Sequence, residues 1–254
     1  MYIDTHCHLD DEKLSPISRV VEEFRRDGVS RVINVACNEK SSQFGKTISE
    51  KFAEIYFASG FHPSDVAGYN ATTREKIIEC AKSEKCVAIG EIGLDYYWDD
   101  SQKELQKQVF VEQIEIANFL SLPISVHSRN ATEDTLKILR ENKAIYGGVM
   151  HCFSGSIETA KILLNSNFYI SFAGPVTFKN SKNLPEIASF LPSDRILTET
   201  DSPYLAPTPF RGTVNSPKNV SLITNFLANL RNEDEQSFAS SVMQNAKNLF
   251  KKLK

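Results

Sequence analysis

The residues whose types and spacing could do chemistry are a set of histidines and two carboxylates. The sequence has five histidines, and each ends or closely follows a short apolar run: His6, His8, His62, His127 and His151. Glu91 and Asp201 stand at the same kind of position in other apolar runs. Imidazole nitrogens and carboxylate oxygens are ligands for Zn²⁺ and related ions in hydrolytic sites. The pattern predicts a metal site, because independent core histidines have no reason to repeat this placement.

His6 and His8 are two residues apart, which puts both imidazoles on one face of a strand while Cys7 points away. Taken alone, such a pair is more often one core histidine and one loop histidine. Glu91 lies in the apolar stretch IGEIG at residues 89–93, where a buried carboxylate is costly unless it is paired or binds metal. The glycines beside it allow close approach of the backbone. A carboxylate has two oxygens and can bridge two ions.

His127 and His151 form a second ligand set together with Glu91, suited to Zn, Mn, Ni or similar ions. Asp201 could bind the first ion and accept a proton from water. Two alternatives stay open, since Asp-Ser-Pro is an ordinary turn sequence and Glu199 is a competing carboxylate. Asp201 is favoured because it lies further toward the carboxyl end of the last strand.

Four further residues are candidate substrate contacts: His62, Arg129, Arg211 and Asn215. Arginine suits bidentate recognition of phosphate, although a solvated surface arginine explains either one alone, and a structural role for His62 is as well supported. Cys152 stands beside His151, but neighbours on a strand point to opposite faces. We therefore expect Cys152 to be a buried small residue and not a nucleophile.

Short apolar runs alternate with amphipathic helical patterns along the whole chain. The predicted strands are residues 2–6, 31–36, 55–60, 87–91, 123–127, 148–151, 168–172 and 195–199. The predicted helices are residues 18–26, 72–82, 102–120, 131–141, 157–165, 219–230 and 233–250, the last with Asn232 as N-cap and Glu235 completing a capping box. The pattern gives no helix range after the second or the seventh strand.

Eight such units predict an α/β fold, a (β/α)₈ TIM barrel in which the active site lies at the carboxyl ends of the strands. The length of 254 residues suits one barrel, so we expect residues 1–254 to form a single domain. The alternative is an open doubly wound sheet. A glycine-rich phosphate loop after the first strand would favour that fold, and the sequence has none.

Composition indicates a soluble globular protein, with 41% hydrophobic and 24% charged residues. The five cysteines are odd in number and include no C-x-x-C pair. No signal peptide or membrane-length apolar run is visible, so a cytoplasmic monomer is expected. The net charge of −3 counts against binding nucleic acid by charge alone. Two bound divalent ions would reverse that sign locally.

At these motifs the sequence resembles the TatD family of metal-dependent hydrolases, the TatD-related deoxyribonucleases. The matching stretches are IDTHCHL at residues 3–9, GFHP at 60–63, IGEIGLDY at 89–96, VHSR at 126–129, HCFSG at 151–155 and TETDSPYLAP at 198–207. The resemblance continues through Arg211-Gly212 and residues 215–217. It implies a TIM barrel with two divalent ions (Zn, Mn, Mg or Ni), in which His6, His8 and Asp201 hold one ion, His127 and His151 hold the other, and Glu91 is shared.

Three functions are consistent with these residues. The first is hydrolysis of DNA phosphodiesters from a strand end, with a metal-bound hydroxide as nucleophile and with Asp201 and Glu91 as the catalytic carboxylates. The second keeps the site but cleaves an ester such as aminoacyl-tRNA, or an amide. The third is a nucleic-acid or partner-binding barrel with structural metal. Structural zinc sites are usually closed and often rich in thiolates, which argues against the third.

Overall fold

Eight apolar runs form one parallel sheet, because both faces of each run have to be buried. The structure is a computed structural model that describes residues 1–98, 101–181 and 183–254. Within these residues the strands pair in chain order, each with the next. They are β1 (Tyr2–Cys7), β2 (Val29–Val35), β3 (Ile55–Ser59), β4 (Cys86–Asp95), β5 (Ile124–Arg129), β6 (Gly148–Met150), β7 (Phe168–Phe172) and β8 (Ile196–Thr198).

The sheet closes between β1 and the segment that follows β8. The Thr5 hydroxyl donates to the Thr198 carbonyl at 3.1 Å. Further along, the Asp201 amide donates to the His6 carbonyl at 2.9 Å, and the His8 amide donates to the Ser202 carbonyl at 2.8 Å. The predicted (β/α)₈ barrel is thus confirmed, and the open-sheet alternative is wrong. Closure also places Asp201 beside the two histidines of β1.

Helices cover the outside of the barrel. In the described part of the chain they are α1 (Ile17–Arg26), α2 (Glu39–Lys51), α3 (Ala71–Ala81), α4 (Lys103–Leu120), α5 (Thr132–Glu141), α6 (Ile157–Asn165), α7 (Leu184–Phe190), α8 (Val220–Leu230) and α9 (Glu235–Leu249). The predicted ranges agree with these to within two residues at each end. No helix among residues 1–98, 101–181 and 183–254 has the length and hydropathy needed to cross a membrane.

The N-cap predicted for the last helix is wrong. The side chain of Asp234, not of Asn232, accepts from the Ser237 amide, and α9 begins at Glu235. Asn232 has φ 55°, in the left-handed region, and turns the chain out of α8. An N-cap residue needs extended backbone angles, which Asp234 has.

The two helices that the periodicity did not locate are α2 and α7. The inward face of α2 is built mostly from small residues, including Ser41, Ser42 and Gly45, so it carries little hydrophobic signal. Its N-terminus is nevertheless encoded, because Asn38 and Ser41 form a reciprocal capping box. Helix α7 has only seven residues, too few for a period to show.

Strands β4 and β5 extend beyond their predicted ends. β4 continues four residues past Glu91 to Asp95, and β5 continues past His127 to Arg129, with Asp95 paired to Arg129. Glu91 therefore lies inside its strand, and the prediction that it ends the strand is wrong. Gly93 permits the close contact of these strands, because its φ is 136° and a Cβ there would overlap the His127 carbonyl oxygen.

Two groups of buried apolar side chains make the core. The larger group joins the strands to most of the helices and includes Phe57, Phe110 and Ile124. The smaller lies under α1 and includes Phe24 and Cys7. Cys7 is fully buried there, with its sulfur 3.5 Å from the Ile33 carbonyl oxygen, so it points away from His6 and His8 as expected.

Candidate metal centre

The six residues predicted as ligands meet at the carboxyl ends of the strands, where a cavity of about 810 Å³ opens. Five of the six line this cavity: His8, Glu91, His127, His151 and Asp201. His6 lies directly beneath and is fully buried. The barrel brings these side chains together from strands β1, β4 and β5 and from the segments after β6 and β8.

The first donor group consists of His6 Nε2, His8 Nε2, Asp201 Oδ1 and Glu91 Oε2. The two imidazole nitrogens are 3.3 Å apart. His6 Nε2 lies 3.2 Å from Glu91 Oε2 and 3.8 Å from Asp201 Oδ1. His8 Nε2 lies 3.7 Å from Glu91 Oε2 and 3.3 Å from Asp201 Oδ1. Four donor atoms thus converge on one point.

The second donor group consists of His127 Nδ1, His151 Nε2 and the other oxygen of Glu91, Oε1. The two nitrogens are 3.2 Å apart. Glu91 Oε1 lies 2.9 Å from His127 Nδ1 and 2.8 Å from His151 Nε2. The carboxylate of Glu91 therefore divides its oxygens between the two groups.

These spacings fit divalent metal ions. Ligands that each stand about 2.1 Å from one ion in tetrahedral geometry lie about 3.4 Å from one another. The two imidazole–imidazole separations, 3.3 and 3.2 Å, are close to that value. Two imidazoles whose lone pairs face each other would repel unless a proton or a cation lies between them. The donor set therefore could hold metal in both groups.

The outer nitrogens of three histidines have partners that set which nitrogen carries the proton. His127 Nε2 is 3.0 Å from Asp95 Oδ2, and His8 Nδ1 is 3.0 Å from the Val35 carbonyl oxygen. His151 Nδ1 is 3.4 Å from Glu199 Oε1. A proton held on these atoms leaves the inner nitrogen free to bind metal, as in carboxylate–histidine–metal triads.

Sequence reasoning missed the role of Asp95 and considered Glu199 only as a ligand. Asp95 lies four residues after Glu91 on the same strand. This even spacing puts both side chains on one face of the strand, and from it the role of Asp95 in the site could have been predicted. Glu199 accepts from the Cys152 amide at 2.5 Å and from the Ser171 hydroxyl at 2.7 Å, so it lies behind His151.

The charges in the cluster compensate one another. Burial raises the pKa of Glu91, but the surrounding histidines, His151 foremost, outweigh burial and hold the pKa well below its usual value. Burial lowers the pKa of His151, and the carboxylates of Glu91 and Glu199 more than reverse this and raise it well above 6.5. The metal-free centre therefore keeps its carboxylates ionised and holds protons on histidine.

A competing arrangement uses the opposite sides of two rings. His6, His151 and Glu199 also bring ligand atoms within 4.8 Å of one another. The His6 and His151 rings are stacked with centroids 4.0 Å apart. Among the residues that the structure describes, Nδ1 of His6 is buried without a hydrogen-bond partner, and Nδ1 of His151 is buried with Glu199 Oε1 at ion-pair distance, 3.4 Å, but outside hydrogen-bond geometry. This set is sealed from the cavity on the His6 and Glu199 side, so it offers no open position to a substrate.

Two of the predicted substrate contacts line the cavity. His62 Nδ1 accepts from the Ser64 amide at 3.1 Å, which leaves the proton of the neutral ring on Nε2, 3.5 Å from Glu91 Oε1. Burial lowers the pKa of His62 to about 4, so the ring stays neutral. Arg129 lies at the rim with its guanidinium 3.7 Å from the centre of the Tyr97 ring.

The other two predicted contacts lie elsewhere. Asn215 is fully buried, and its Nδ2 donates to the carbonyls of Thr200 and Tyr204 at 2.9 and 2.7 Å. It braces the loop that carries Asp201 and does not face the cavity. Arg211 is exposed and stacks on Phe178, with its guanidinium 4.4 Å from the ring centre. Neither position could be distinguished from a site residue by sequence.

The expectation of a buried Cys152 is wrong, since this residue is partly exposed and lines the cavity. β6 ends at Met150, so the strand rule for alternating faces does not reach Cys152. Its φ of 41° turns the chain out of the strand direction. Although the residue is partly exposed, the protein around the sulfur desolvates the thiol and raises its pKa well above 9.0, with Asp201 and Glu199 acting in the same direction, so the thiol stays protonated and is a poor nucleophile.

Comparison with known proteins agrees with this geometry. The family model described as TatD related DNase matches residues 3–251. The Bacillus subtilis protein named uncharacterized metal-dependent hydrolase YabD is 42% identical over 253 residues, which cover 99% of each chain. The Escherichia coli relative YcfH, named in the same way, is 37% identical and covers 98% of this chain and 95% of its own.

A solved structure shows the same architecture. The crystal structure of YJJV, a TatD homologue from Escherichia coli, superposes with a TM-score of 0.93 at 29% identity and covers 98% of both chains. A TatD family hydrolase from Entamoeba histolytica, at 21% identity and a TM-score of 0.87, shares the fold. The sequence match over nearly the whole chain, the barrel and the cluster of donors lead to one conclusion: the chain belongs to the TatD family of metal-dependent hydrolases.

Proposed function

We propose that the chain is a two-metal hydrolase that cleaves DNA phosphodiesters from a strand end, and that residues 1–254 act as one domain. The observation that carries the proposal is the division of the Glu91 oxygens between two donor groups, 2.8–2.9 Å from one pair of histidines and 3.2–3.7 Å from the other. A carboxylate shared in this way would hold two ions close together, and two-metal sites of this kind can clamp the attacking and leaving oxygens of a phosphodiester.

Zn²⁺, Mn²⁺ and Ni²⁺ suit these donors better than Mg²⁺, which prefers oxygen ligands. When bound, such ions lower the pKa of water and neutralise charge on phosphoryl oxygens. The protein's own residues orient the metal ligands, keep other donor groups away from the metal positions and accept the proton of the attacking water. Asp95 and Glu199 hold His127 and His151 in the orientation that turns one nitrogen toward Glu91.

Asp201 is the residue placed to accept a proton from the attacking water. Burial raises the pKa of its carboxyl, but the hydrogen bond with His8 and the charges of His8, His151 and His6 together more than offset this and lower the pKa, so the group is ionised at neutral pH. Its side chain is 14% exposed and faces the cavity. His62 adds a donor at the same place, because its Nε2–H points toward the centre and stays available over the neutral range.

Charge at the rim favours the end of a strand as substrate. Arg129 is the last residue of β5, and Asp10 and Asp11 follow β1, which lies diametrically opposite in a barrel of eight strands. A phosphodiester backbone is attracted to the arginine side and repelled on the aspartate side. The end of a DNA strand can bind with its backbone leaving the cavity past Arg129. An uninterrupted DNA strand would also have to pass the aspartate side, which repels its phosphates.

The test is hydrolysis of a 5′-labelled single-stranded oligonucleotide by protein of measured metal content. We expect cleavage to stop with EDTA, to return with Mn²⁺ or Zn²⁺, and to release nucleotides from one end. Protein that contains metal but leaves DNA intact would contradict the nuclease proposal. His127→Ala is the matched variant for the centre, and Asn142→Ala, at the far end of α5, is its control.

A second candidate is hydrolysis of an aminoacyl ester, such as the ester in aminoacyl-tRNA. The observation that favours it is the aspartate side of the cavity, since Asp10 and Asp11 would attract the free ammonium group of an aminoacyl ester. Rates on DNA and on aminoacyl-tRNA, measured with the same metal-loaded preparation, decide between the two substrates. An Asp10→Asn variant should slow only the ester reaction if this second candidate is correct.

A further inference from the structure

The rim of the cavity carries exposed aromatic rings that neither the metal centre nor the barrel core uses. Trp98 is 74% exposed and Tyr97 is 52% exposed, both directly after β4. The Trp98 ring lines the cavity that contains Glu91 and His127. Exposing an indole to water is unfavourable, so a ring kept at the mouth of a site, in a sequence that has one tryptophan, points to a ligand.

These rings are tied to the metal centre by a chain of contacts. The Tyr97 amide donates to Asp95 Oδ1 at 2.8 Å, and the other oxygen of Asp95 contacts His127. Trp98 packs edge-to-face on Tyr97 with centroids 4.8 Å apart, and the guanidinium of Arg129 covers Tyr97. The indole is therefore fixed relative to the second donor group, while most of its own surface stays free.

On the opposite side of the cavity the aromatic lining residue is Tyr204. Tyr204 follows β8, across the barrel from β4, and is 49% exposed. Its hydroxyl donates to Asp11 Oδ2 at 3.1 Å, and Lys13 Nζ lies 5.4 Å from the ring centre. Tyr204 thus already has polar partners on the side of the cavity that repels phosphate. The Arg129 guanidinium also lies 5.4 Å from the centre of the Trp98 ring, but Trp98 is 74% exposed, so most of the indole stays open beside the cation that attracts phosphate.

We propose that Trp98 stacks on an unpaired base of the DNA strand whose terminal phosphodiester lies at the metal centre. Every nucleobase has a π face that stacks on an aromatic side chain without sequence preference. Bases inside a duplex already stack on both faces, and a terminal pair offers only its outer face, whereas an unpaired base can turn either face to the indole and so fits this position best. This inference rests on the proposed nuclease function and narrows its substrate to single-stranded ends.

Binding can be measured directly because Trp98 is the only tryptophan. The protein as purified is titrated with a six-nucleotide phosphorothioate strand, which resists hydrolysis, and with an abasic strand of the same length and charge. We expect saturable quenching of tryptophan emission by the strand with bases and no quenching by the abasic strand. Equal quenching by both strands, or by neither, would overturn the assignment.

Kinetics give a second readout. Trp98→Ala should raise KM for a single-stranded oligonucleotide about tenfold with little change in kcat, as loss of one stacking contact predicts. Trp98→Phe should restore most of the affinity, and neither variant should change the rate on an abasic strand. Phe119→Ala, which removes a ring that is 82% exposed on α4, is the control for loss of a surface aromatic.

The outcomes separate this inference from the function on which it rests. Cleavage of DNA with the same KM in the wild type and in Trp98→Ala, and without base-dependent quenching, would overturn the stacking assignment and leave the nuclease proposal intact. Base-dependent quenching in a protein that cleaves no DNA would support the stacking assignment and overturn the nuclease proposal. If tryptophan emission shifted with protein concentration in the absence of DNA, Trp98 would lie at a contact between two copies of the protein, and the inference would be overturned.

Discussion

The two donor groups of the metal centre are built differently, although Glu91 joins them. The first group has four donor atoms, from His6, His8, Asp201 and Glu91. The second has three, from His127, His151 and Glu91, and compensates with carboxylates behind both histidines. Catalytic metal sites typically keep three protein ligands and an open position, whereas a fourth ligand closes a site.

This difference suggests a division of labour. Under the proposed function, the first group would enclose one ion with Asp201 as proton acceptor, and its geometry depends on the closure between β1 and the segment after β8. The second group leaves positions open toward the cavity and Arg129, where substrate oxygen can bind. The carboxylates of Asp95 and Glu199 make the His127 and His151 rings more basic and so offset the missing fourth ligand.

Glu91→Gln should have the largest effect, because it weakens both groups at once. A neutral amide cannot bridge two cations as a carboxylate does, and we expect loss of most bound metal and a fall in kcat of about 10³-fold, comparable to removal of a key electrostatic group. Metal analysis and single-stranded DNA hydrolysis measure this. Glu84→Gln, an exposed change just before β4, is the control. Retention of both ions by Glu91→Gln would refute the shared-ligand interpretation.

Asp95→Asn should affect the second group alone. The amide still accepts from Tyr97 but cannot stabilise charge on His127, so metal affinity of this group should fall about 10–100-fold. Metal competition titrations should show one site weakened and the other unchanged. Asp194→Asn, at an exposed position before β8, controls for loss of a carboxylate. Equal weakening of both sites would remove the distinction between the groups.

Asn215→Ala should loosen the first group through its loop. The change leaves the buried carbonyls of Thr200 and Tyr204 without their donor, which costs about 1–3 kcal/mol, or a Tm lower by roughly 2–12 °C. Thermal unfolding measures this loss, and exposed Asn248→Ala should change stability by less than about 0.5 kcal/mol. A higher KM at unchanged stability would instead make Asn215 a substrate contact, as the sequence predicted.

The pH dependence of stability should differ between metal-free and metal-loaded protein. Burial lowers the pKa of His127, but Asp95 and Glu91 more than reverse this, so its pKa, like that of His151, lies above 6.5. A raised histidine pKa stabilises the fold below pH 6.5, and the stabilisation is lost as pH rises. Tm in EDTA should therefore fall by a few degrees between pH 6.5 and 8, and metal should reverse this trend, because its binding displaces the protons. A metal-free Tm that rises over this range would contradict the assignment.

The sequence was sufficient for the fold and for the convergence of the six candidate ligands. Parallel strands converge at their carboxyl ends, so polar residues placed there were bound to meet. It was insufficient where position depends on register or on loop geometry. The role of Asp95 needed the true end of β4, the burial of Asn215 needed the path of the loop after β8, and the exposure of Cys152 needed a left-handed residue after β6. Helix α2 was missed because serine and glycine pack as well as apolar residues where a helix lies close to a sheet.

The most direct test of the shared centre is anomalous diffraction from crystals grown with Mn²⁺. The account predicts two peaks about 3.5–4 Å apart, one among His6, His8 and Asp201 and the other between His127 and His151, with the Glu91 carboxylate between them. A single peak, or a peak enclosed by His6, His151 and Glu199, would contradict it.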